Sequence, residues 1–337
     1  MPPHVLAPTI HVLGGGAIGL LVTGHLLKGQ VPVRLHLRQM PSVPTCLIPL
    51  SFIEAWRGPG TPGQVLQCPV EEAGADGPIE CLVIATKAQQ AREAVGPLYS
   101  RLTRNSSVLF LQNGLGVFEE VANLWKEERD RQPFFLLGST THGAYRPAVP
   151  GEIERSVVHA GMGKMWFGAA SAHENGSPRL QNLVRNLSSW VPGLALDPRL
   201  LDAKEIRDRL VEKLAVASII LPLTALSGQK NGALLSPPLE TLATDLAEEV
   251  SSVLVRTGHS RMTPSWVKGR VREVAEGTRE NVSSMKADVE MGRRTEVEYI
   301  CGALNRMARD AGIHTPLLRM VQGLIEARQI RKVDNET

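Results

Sequence analysis

Aromatic side chains are scarce in this chain, at 4% of 337 residues. That argues against base-stacking nucleic-acid modules, which need exposed Phe, Tyr and Trp. An excess of one charge is lacking too. Thirty-seven Lys and Arg stand against 34 Asp and Glu, with no long basic run, so nothing marks a binder of phosphate backbones. The four cysteines (Cys46, Cys68, Cys81 and Cys301) are far apart and form no CxxC pair. They give no zinc framework, and no metal site is expected. Cys81 lies in an apolar run and reads as a buried thiol, which fits a reducing compartment. No uninterrupted apolar run reaches the ~20 residues of a membrane span. Residues 1–9 lack a charged region followed by an apolar one, and leave no room for an Arg-rich presequence before the first strand. These absences lead us to expect a cytoplasmic protein with neither a nucleic-acid nor a membrane partner, the choice between monomer and homodimer staying open. An organelle reached by an internal signal stays open.

What is present is the balance of a globular chain: 43% hydrophobic and 21% charged residues. At roughly 150 residues per domain the length suggests two domains. The first half alternates strand and helix signals. Short apolar runs at 9–13, 33–37, 80–85 and 108–111 are separated by helical spacing at 17–28, 88–102 and 117–128. This βαβ rhythm predicts an α/β fold, a Rossmann-type parallel sheet with helices on both faces. Residues 40–75 read as loops with short strands at 47–55 and 64–70. Further strand candidates fill 134–168, and 180–190 reads as a helix. Residues 192–202 look like a connection. Beyond it the period changes to 3.6, with a helix pair over 204–226 interrupted at Pro222 and further helices at 238–257, 265–290, 296–311 and 317–328. The expectation is a dinucleotide-binding domain over 1–200, an all-helical domain over 201–331, a ligand cleft between them, and a fraying polar tail at 332–337.

Gly14-Gly15-Gly16-Ala17-Ile18-Gly19 matches G-x-G-x-x-G directly after the first strand, where it opens the first helix. The first glycine makes the tight turn, the second lets the backbone approach a pyrophosphate, and the third lets helix and strand pack closely. The helix N-terminus adds free N–H groups and a positive dipole end. A purely structural glycine turn is the competing reading. An NAD site would place an acid about 20 residues further on, for the ribose hydroxyls. This chain has Leu37-Arg38-Gln39 there. Arg38 can pair bidentately with a 2′-phosphate, which favours NADPH over NADH. Otherwise Arg38 is a solvated surface charge.

Later segments are more specific than the glycine turn. They are Ala85-Thr86-Lys87, Leu111-Gln112-Asn113-Gly114-Leu115-Gly116, Gly138-Ser139-Thr140-Thr141-His142-Gly143, Lys213-Leu214-Ala215-Val216, Pro222-Leu223-Thr224-Ala225-Leu226, Asn231-Gly232, Ser284-Met285, and the run from Gly292 to Gly302 containing Arg293-Arg294-Thr295-Glu296. Their order and spacing resemble the ketopantoate reductase (2-dehydropantoate 2-reductase) family over nearly the whole chain. The resemblance implies a Rossmann domain followed by a helical domain, and reduction of a 2-keto acid by hydride from NADPH, as in pantothenate biosynthesis.

It also implies roles for single residues. Lys213 would be the general acid, with a pKa lowered by burial and nearby cations, although a solvated helix lysine reads the same. Glu296 would stand near substrate and lysine. It is otherwise a first-turn helix acid behind a Thr295 cap. Lys87 and Asn113 would lie on the nicotinamide side, but Asn-Gly alone is most often a turn. Asn231 and Ser284 would contact substrate, against plain readings as helix-terminus and helix-surface residues. His142 fits the motif and receives no role. The departures lie beside the lysine. Where the family commonly has asparagines one and two turns on, this chain has Ala217 and Leu221. At i+4 and i+8 both share the face of Lys213. A drier wall there leaves open a different carbonyl substrate, or a cofactor-binding pseudoenzyme with a regulatory role.

Overall fold

The computed structural model describes residues 8–38, 46–72, 74–147, 155–174 and 196–333. The expected helix at 180–190 lies outside them. The chain divides into two compact units, one of residues 1–112 and 117–207, the other of residues 113–116 and 208–337.

The first unit is built on one mixed sheet of eleven strands, among the described residues: β1 (Ile10–Leu13), β2 (Val33–His36), β3 (Leu47–Ile53), β4 (Gln64–Glu71), β5 (Cys81–Ile84), β6 (Ser107–Phe110), β7 (Phe134–Thr140), β8 (Gly143–Tyr145), β9 (Arg155–Gly161), β10 (Met165–Ala169) and β11 (Pro198–Leu200). Their order is β11-β10-β7-β6-β5-β1-β2-β4-β3-β9-β8. The run β7-β6-β5-β1-β2-β4 is parallel, while β3 on β4, β10 on β7 and β8 on β9 are antiparallel. Every residue of β1 and β5 is buried, which explains why apolar residues stand on both faces of these strands, with the buried His11 the one polar side chain. Helix α1 (Ala17–Lys28) buries eight consecutive residues from Gly19 to Leu26.

Three expectations for this unit are corrected. The helix foreseen over 88–102 is one α-helical turn, α2 (Ala91–Val95), between 3-10 turns, because Pro97 cannot donate to the ladder. Likewise the 117–128 helix is only α3 (Val117–Ala122) running into a 3-10 turn. The expected connection at 192–202 contains β11, paired in parallel with β10.

Two histidine networks are buried in this unit. His142 Nε2 lies 3.0 Å from the Leu196 carbonyl, which only accepts, so Nε2 carries the proton. His142 Nδ1 then accepts from the Gly163 N–H at 3.1 Å and from His159 Nε2, also at 3.1 Å. His159 Nδ1 accepts in turn from His25 Nε2 at 3.1 Å. The chain is complete with all three rings neutral, and burial pulls His25 down to about 3 and His159 to about 4. In the second network His11 Nδ1 and His36 Nε2 are 2.8 Å apart, beside Glu71.

In the second unit, α4 (Ala203–Ser227) contributes its residues from Asp208 on. It is followed by α5 (Leu239–Arg256), α6 (Pro264–Gly277), α7 (Ser284–Glu290), α8 (Val297–Asp310) and α9 (Pro316–Val333). The apolar stripe of α5 (Ala243, Leu246, Ala247, Val250, Val253, Leu254) recurs at helical spacing and joins a core with Leu214, Ile219, Ile300, Leu304 and Leu318. By length and composition α4 is the one helix, among the described residues, able to cross a membrane. Just over half of its apolar window (56%) is buried in the protein, as in a core helix.

Here too the structure differs from the sequence reading. Helix α4 is not interrupted at Pro222 but runs through it. Proline removes the hydrogen bond to the carbonyl four residues back, a cost of about 3 kcal/mol in a helix interior. That carbonyl belongs to Ser218, and the Cys301 thiol donates to it from α8 at 3.7 Å. The single helix expected over 265–290 is two, α6 and α7. The break after Gly277 is fixed by a new N-cap, Ser283, whose Oγ accepts from the Lys286 N–H. Helix α9 continues to Val333, into the expected tail.

Candidate functional site

The glycine-rich turn sits where the sequence puts it, between β1 and α1. Gly14 has φ +118°, and a Cβ there would lie 2.8 Å from the Thr86 N and 2.9 Å from the Ala85 C. A side chain on Gly19 would meet the Gly14 carbonyl oxygen at 1.9 Å. These two positions give the tight turn and the close helix–strand approach. Gly16 is the N-cap of α1 and supplies no side-chain cap, and no acid stands in the first turn. The first N–H groups of α1, at Ala17 and Ile18, thus open onto a small-residue cradle that a Cβ would fill. This donor set fits the pyrophosphate of a dinucleotide. The Thr86 backbone lies against Gly14, and Lys87, next in sequence, occupies the N-cap position of the 3-10 turn after β5 without a side-chain cap bond. Arg38 follows β2 and is exposed.

The second unit holds the residues that the sequence assigns to proton transfer. Lys213 stands on α4 between Val211 and Leu214 in sequence, both core residues. Burial pulls its ammonium down to about 8, while the nearby Glu296 carboxylate acts in the opposite direction. The expected contribution of neighbouring cations is absent from that balance. Glu296 is buried at the start of α8 and makes no side-chain cap bond. Thr295 Oγ1 accepts the Val297 N–H instead, and receives Gln329 Nε2 at 2.8 Å. The Glu296 carboxylate is therefore not consumed by helix capping. Asn113 Nδ2 donates to Glu296 Oε2 at 3.5 Å.

Residues 113–116 belong to the helical unit although they directly follow the β6 segment in sequence. The Leu115 N–H donates to the Tyr299 carbonyl at 2.9 Å. Gly114, at φ +88°, lets that carbonyl approach to 2.3 Å from where a Cβ would stand. Asn113-Gly114 is thus more than a turn: the glycine seats the segment on α8, and the asparagine reaches the carboxylate.

Asn231 and Ser284 are placed around the break between α6 and α7. The Asn231 N–H donates to the Asn281 carbonyl and its Nδ2 to Thr278 Oγ1 at 2.9 Å, while its buried Oδ1 has no partner among the described residues. Ser284 is exposed at the first position of α7. The neighbouring Ser283 takes the structural role, accepting from Thr224 Oγ1 at 2.7 Å. Ala217 and Leu221 are partly buried against the helical core. The structure thus joins Lys213, Glu296 and Asn113 in one constellation, and keeps Asn231 with an unspent acceptor.

The spacing of His11, His36 and Glu71 resembles a metal-ligand set. The Arg101 guanidinium stands 2.7 Å from the same Glu71 oxygen that faces both rings. A resident cation therefore already balances the carboxylate, and we read the group as structural.

Comparison with known proteins follows this division. Residues 10–172 match the family model described as ketopantoate reductase PanE/ApbA, and residues 205–329 match its C-terminal counterpart. The 2-dehydropantoate 2-reductase of Shigella flexneri is 32% identical over 312 residues, covering 91% of this chain and 90% of that protein. A crystal structure of probable 2-dehydropantoate 2-reductase from Bacillus subtilis superposes with a TM-score of 0.68 at 26% identity, over 95% of this chain and 99% of that one. D-mandelate dehydrogenase, solved with NADH and anilino(oxo)acetate, shares the fold alone, with a TM-score of 0.75 at 17% identity over 96% of this chain and 99% of that one. The architecture is thus that of a Rossmann-type oxidoreductase with a helical C-terminal region. Within that class, the chain belongs to the ketopantoate reductase family.

Proposed function

We propose that this protein reduces 2-dehydropantoate to pantoate with NADPH, using Lys213 as proton donor. The observation that carries the reading is the Lys213–Glu296–Asn113 constellation of the helical unit: a lysine whose pKa burial lowers to about 8, beside a carboxylate that makes no helix-cap bond. The glycine turn, with Gly14, Gly15, Gly16, Ala17, Ile18 and Gly19, supports the cofactor assignment. Arg38 and Lys87 supply cations there, and Asn113 would serve the nicotinamide side. When bound, NADPH supplies the hydride to the keto carbon.

The chain's own residues do the rest. As the carbonyl carbon gains hydride, its oxygen gains negative charge. Lys213 Nζ stabilises that oxygen as an ammonium and passes it one proton, leaving a neutral amine and a hydroxyl. An ammonium with a pKa near 8 is protonated at neutral pH and still a competent acid. Glu296 holds it in place and favours its charged form. Asn113 fixes one carboxylate oxygen. Asn231, with its unspent Oδ1, and Ser284 are the substrate-binding candidates. The apolar wall of Ala217 and Leu221 makes the site drier than asparagines would.

The test is NADPH oxidation by the purified protein with 2-dehydropantoate, beside Lys213→Ala. Turnover that falls about 10²-fold or more in the variant is expected. Intact cofactor binding without turnover, on this acid or on a panel of bulkier 2-keto acids, would leave a non-catalytic binder and overturn the proposal.

A further inference from the structure

We propose that Arg155 reads the adenosine 2′-phosphate of NADPH, together with Arg38; this rests on the cofactor reading above. Arg155 opens β9, far along the chain from the glycine turn, and pairs with Leu50 of β3. Its Nη1 nevertheless lies 3.3 Å from the point where a Cβ on Gly15 would stand, and Leu37 Cδ2 lies 2.8 Å from that same point. The guanidinium therefore faces the middle of the turn and the end of β2 at once. In a Rossmann sheet the end of β2 is where the adenosine ribose is recognised, by an acid for a free 2′-hydroxyl or by an arginine for a 2′-phosphate.

The surroundings of Arg155 call for an anion. Among the described residues no carboxylate is paired with it. The groups that act on it are burial and the Arg146 guanidinium, both disfavouring its charge, and the buried Cys68 thiol. Arg146 follows β8 and is exposed. Arg155 at the glycine turn, with Arg146 acting on it and with an uncapped helix N-terminus whose first turn holds no acid, leaves positive charge that a phosphate dianion would balance. A guanidinium suits this task because its planar fork can hold two phosphate oxygens at once.

The experiment measures equilibrium binding by calorimetry, without turnover. The probes are NADPH, NADH, 2′,5′-ADP and 5′-AMP, tested on wild type, Arg155→Gln and Arg155→Lys. Losing a charge-assisted pair should weaken NADPH and 2′,5′-ADP by about ten- to a hundredfold in Arg155→Gln. NADH and 5′-AMP should change less than about threefold, and Arg155→Lys should recover part of the loss through its charge. Equal weakening of NADPH and NADH would place Arg155 on the pyrophosphate and overturn the proposal, as would no weakening of either. Wild-type protein that binds NADH as tightly as NADPH would instead overturn the cofactor reading itself. Arg155→Lys keeps a cation and an aliphatic stem in place, so it tests the same point if Arg155→Gln does not fold.

Discussion

The two units bury titratable side chains in opposite ways. In the sheet unit, His25, His159 and His142 spend their ring nitrogens on one another and on backbone groups, with every proton placed. Glu71 faces Arg101 and two imidazoles. In the helical unit, Lys213 is instead buried as an ammonium with a pKa of about 8, beside the Glu296 carboxylate that favours its charge, and Asn231 keeps an unmatched acceptor. A buried polar network that is fully satisfied makes one fold rigid and specific. A buried charge kept near its pKa can hold or give up a proton, which a neutral ring with a pKa of about 3 to 4 does not do near neutral pH. Burial thus holds the rings of the sheet unit neutral, whereas in the helical unit it leaves a charged lysine within reach of its own titration.

The largest expected effect tests whether the turn is a packing feature of the sheet unit alone. Gly19→Ala puts a methyl 1.9 Å from the Gly14 carbonyl, which backbone must yield to accommodate. We expect a cost on the order of 3 kcal/mol or more, read by denaturant unfolding, with amide exchange lost first in β1 and α1. Wild-type protection in those elements would end the close-packing account.

Next comes the pH profile of turnover. With Lys213 near 8, kcat should fall about tenfold per pH unit above that value, as the ammonium is lost. Glu296→Gln removes the one influence that favours the charged form, so it should move the break to lower pH. A wild-type rate still flat at pH 10 contradicts the assignment of the acid.

Acid should separate the units. His25, His159 and His36 titrate well below the ordinary histidine value of 6.5 because burial disfavours the imidazolium. The unfolded chain therefore binds more protons between about pH 6.5 and 3. Stability from these neutral rings is complete above about 6.5 and is lost as pH falls toward 4, on the order of several kcal/mol in sum. Amide exchange at pH 6.5 and 4.5 should show α1 and β9 opening well before α5 and α8. Equal loosening of both units would remove the contrast.

The smallest effect concerns specificity. Ala217→Asn restores an amide on the Lys213 face and should lower KM for 2-dehydropantoate about three- to tenfold. An increase in KM would show that the apolar wall is matched to another acid.

Much of this was legible in the sequence because the signals are local. Gly14 to Gly19 is a contiguous motif, and the helical stripes of α5 and α8 repeat every three to four residues. Lys213 and Glu296 lie in recognisable segments. What was hidden depends on contacts across long separations. The continuity of α4 through Pro222 needs a thiol 79 positions on to occupy the freed carbonyl. The seating of Asn113 on α8 needs Gly114 to admit the Tyr299 carbonyl. Arg155 carries no motif at all, and only the fold of β9 brings it to Gly15. The α6–α7 break was missed because apolar spacing continues across it, while Ser283 restarts the helix.

The thiol that bridges to Ser218 has one more consequence. Cys301 is fully enclosed, and burial pushes it up to about 12, so almost none of it is thiolate at neutral pH. An alkylating reagent can reach it only when α8 parts from α4, and its labelling rate then reads the opening of the helical unit. Cys68 and Cys81, likewise buried and raised to about 12, report on β4 and β5, while Cys46 is exposed and should label at once. The unmodified chain thus carries separate chemical clocks for its two halves, and a mass spectrum taken over time would show which half loosens first.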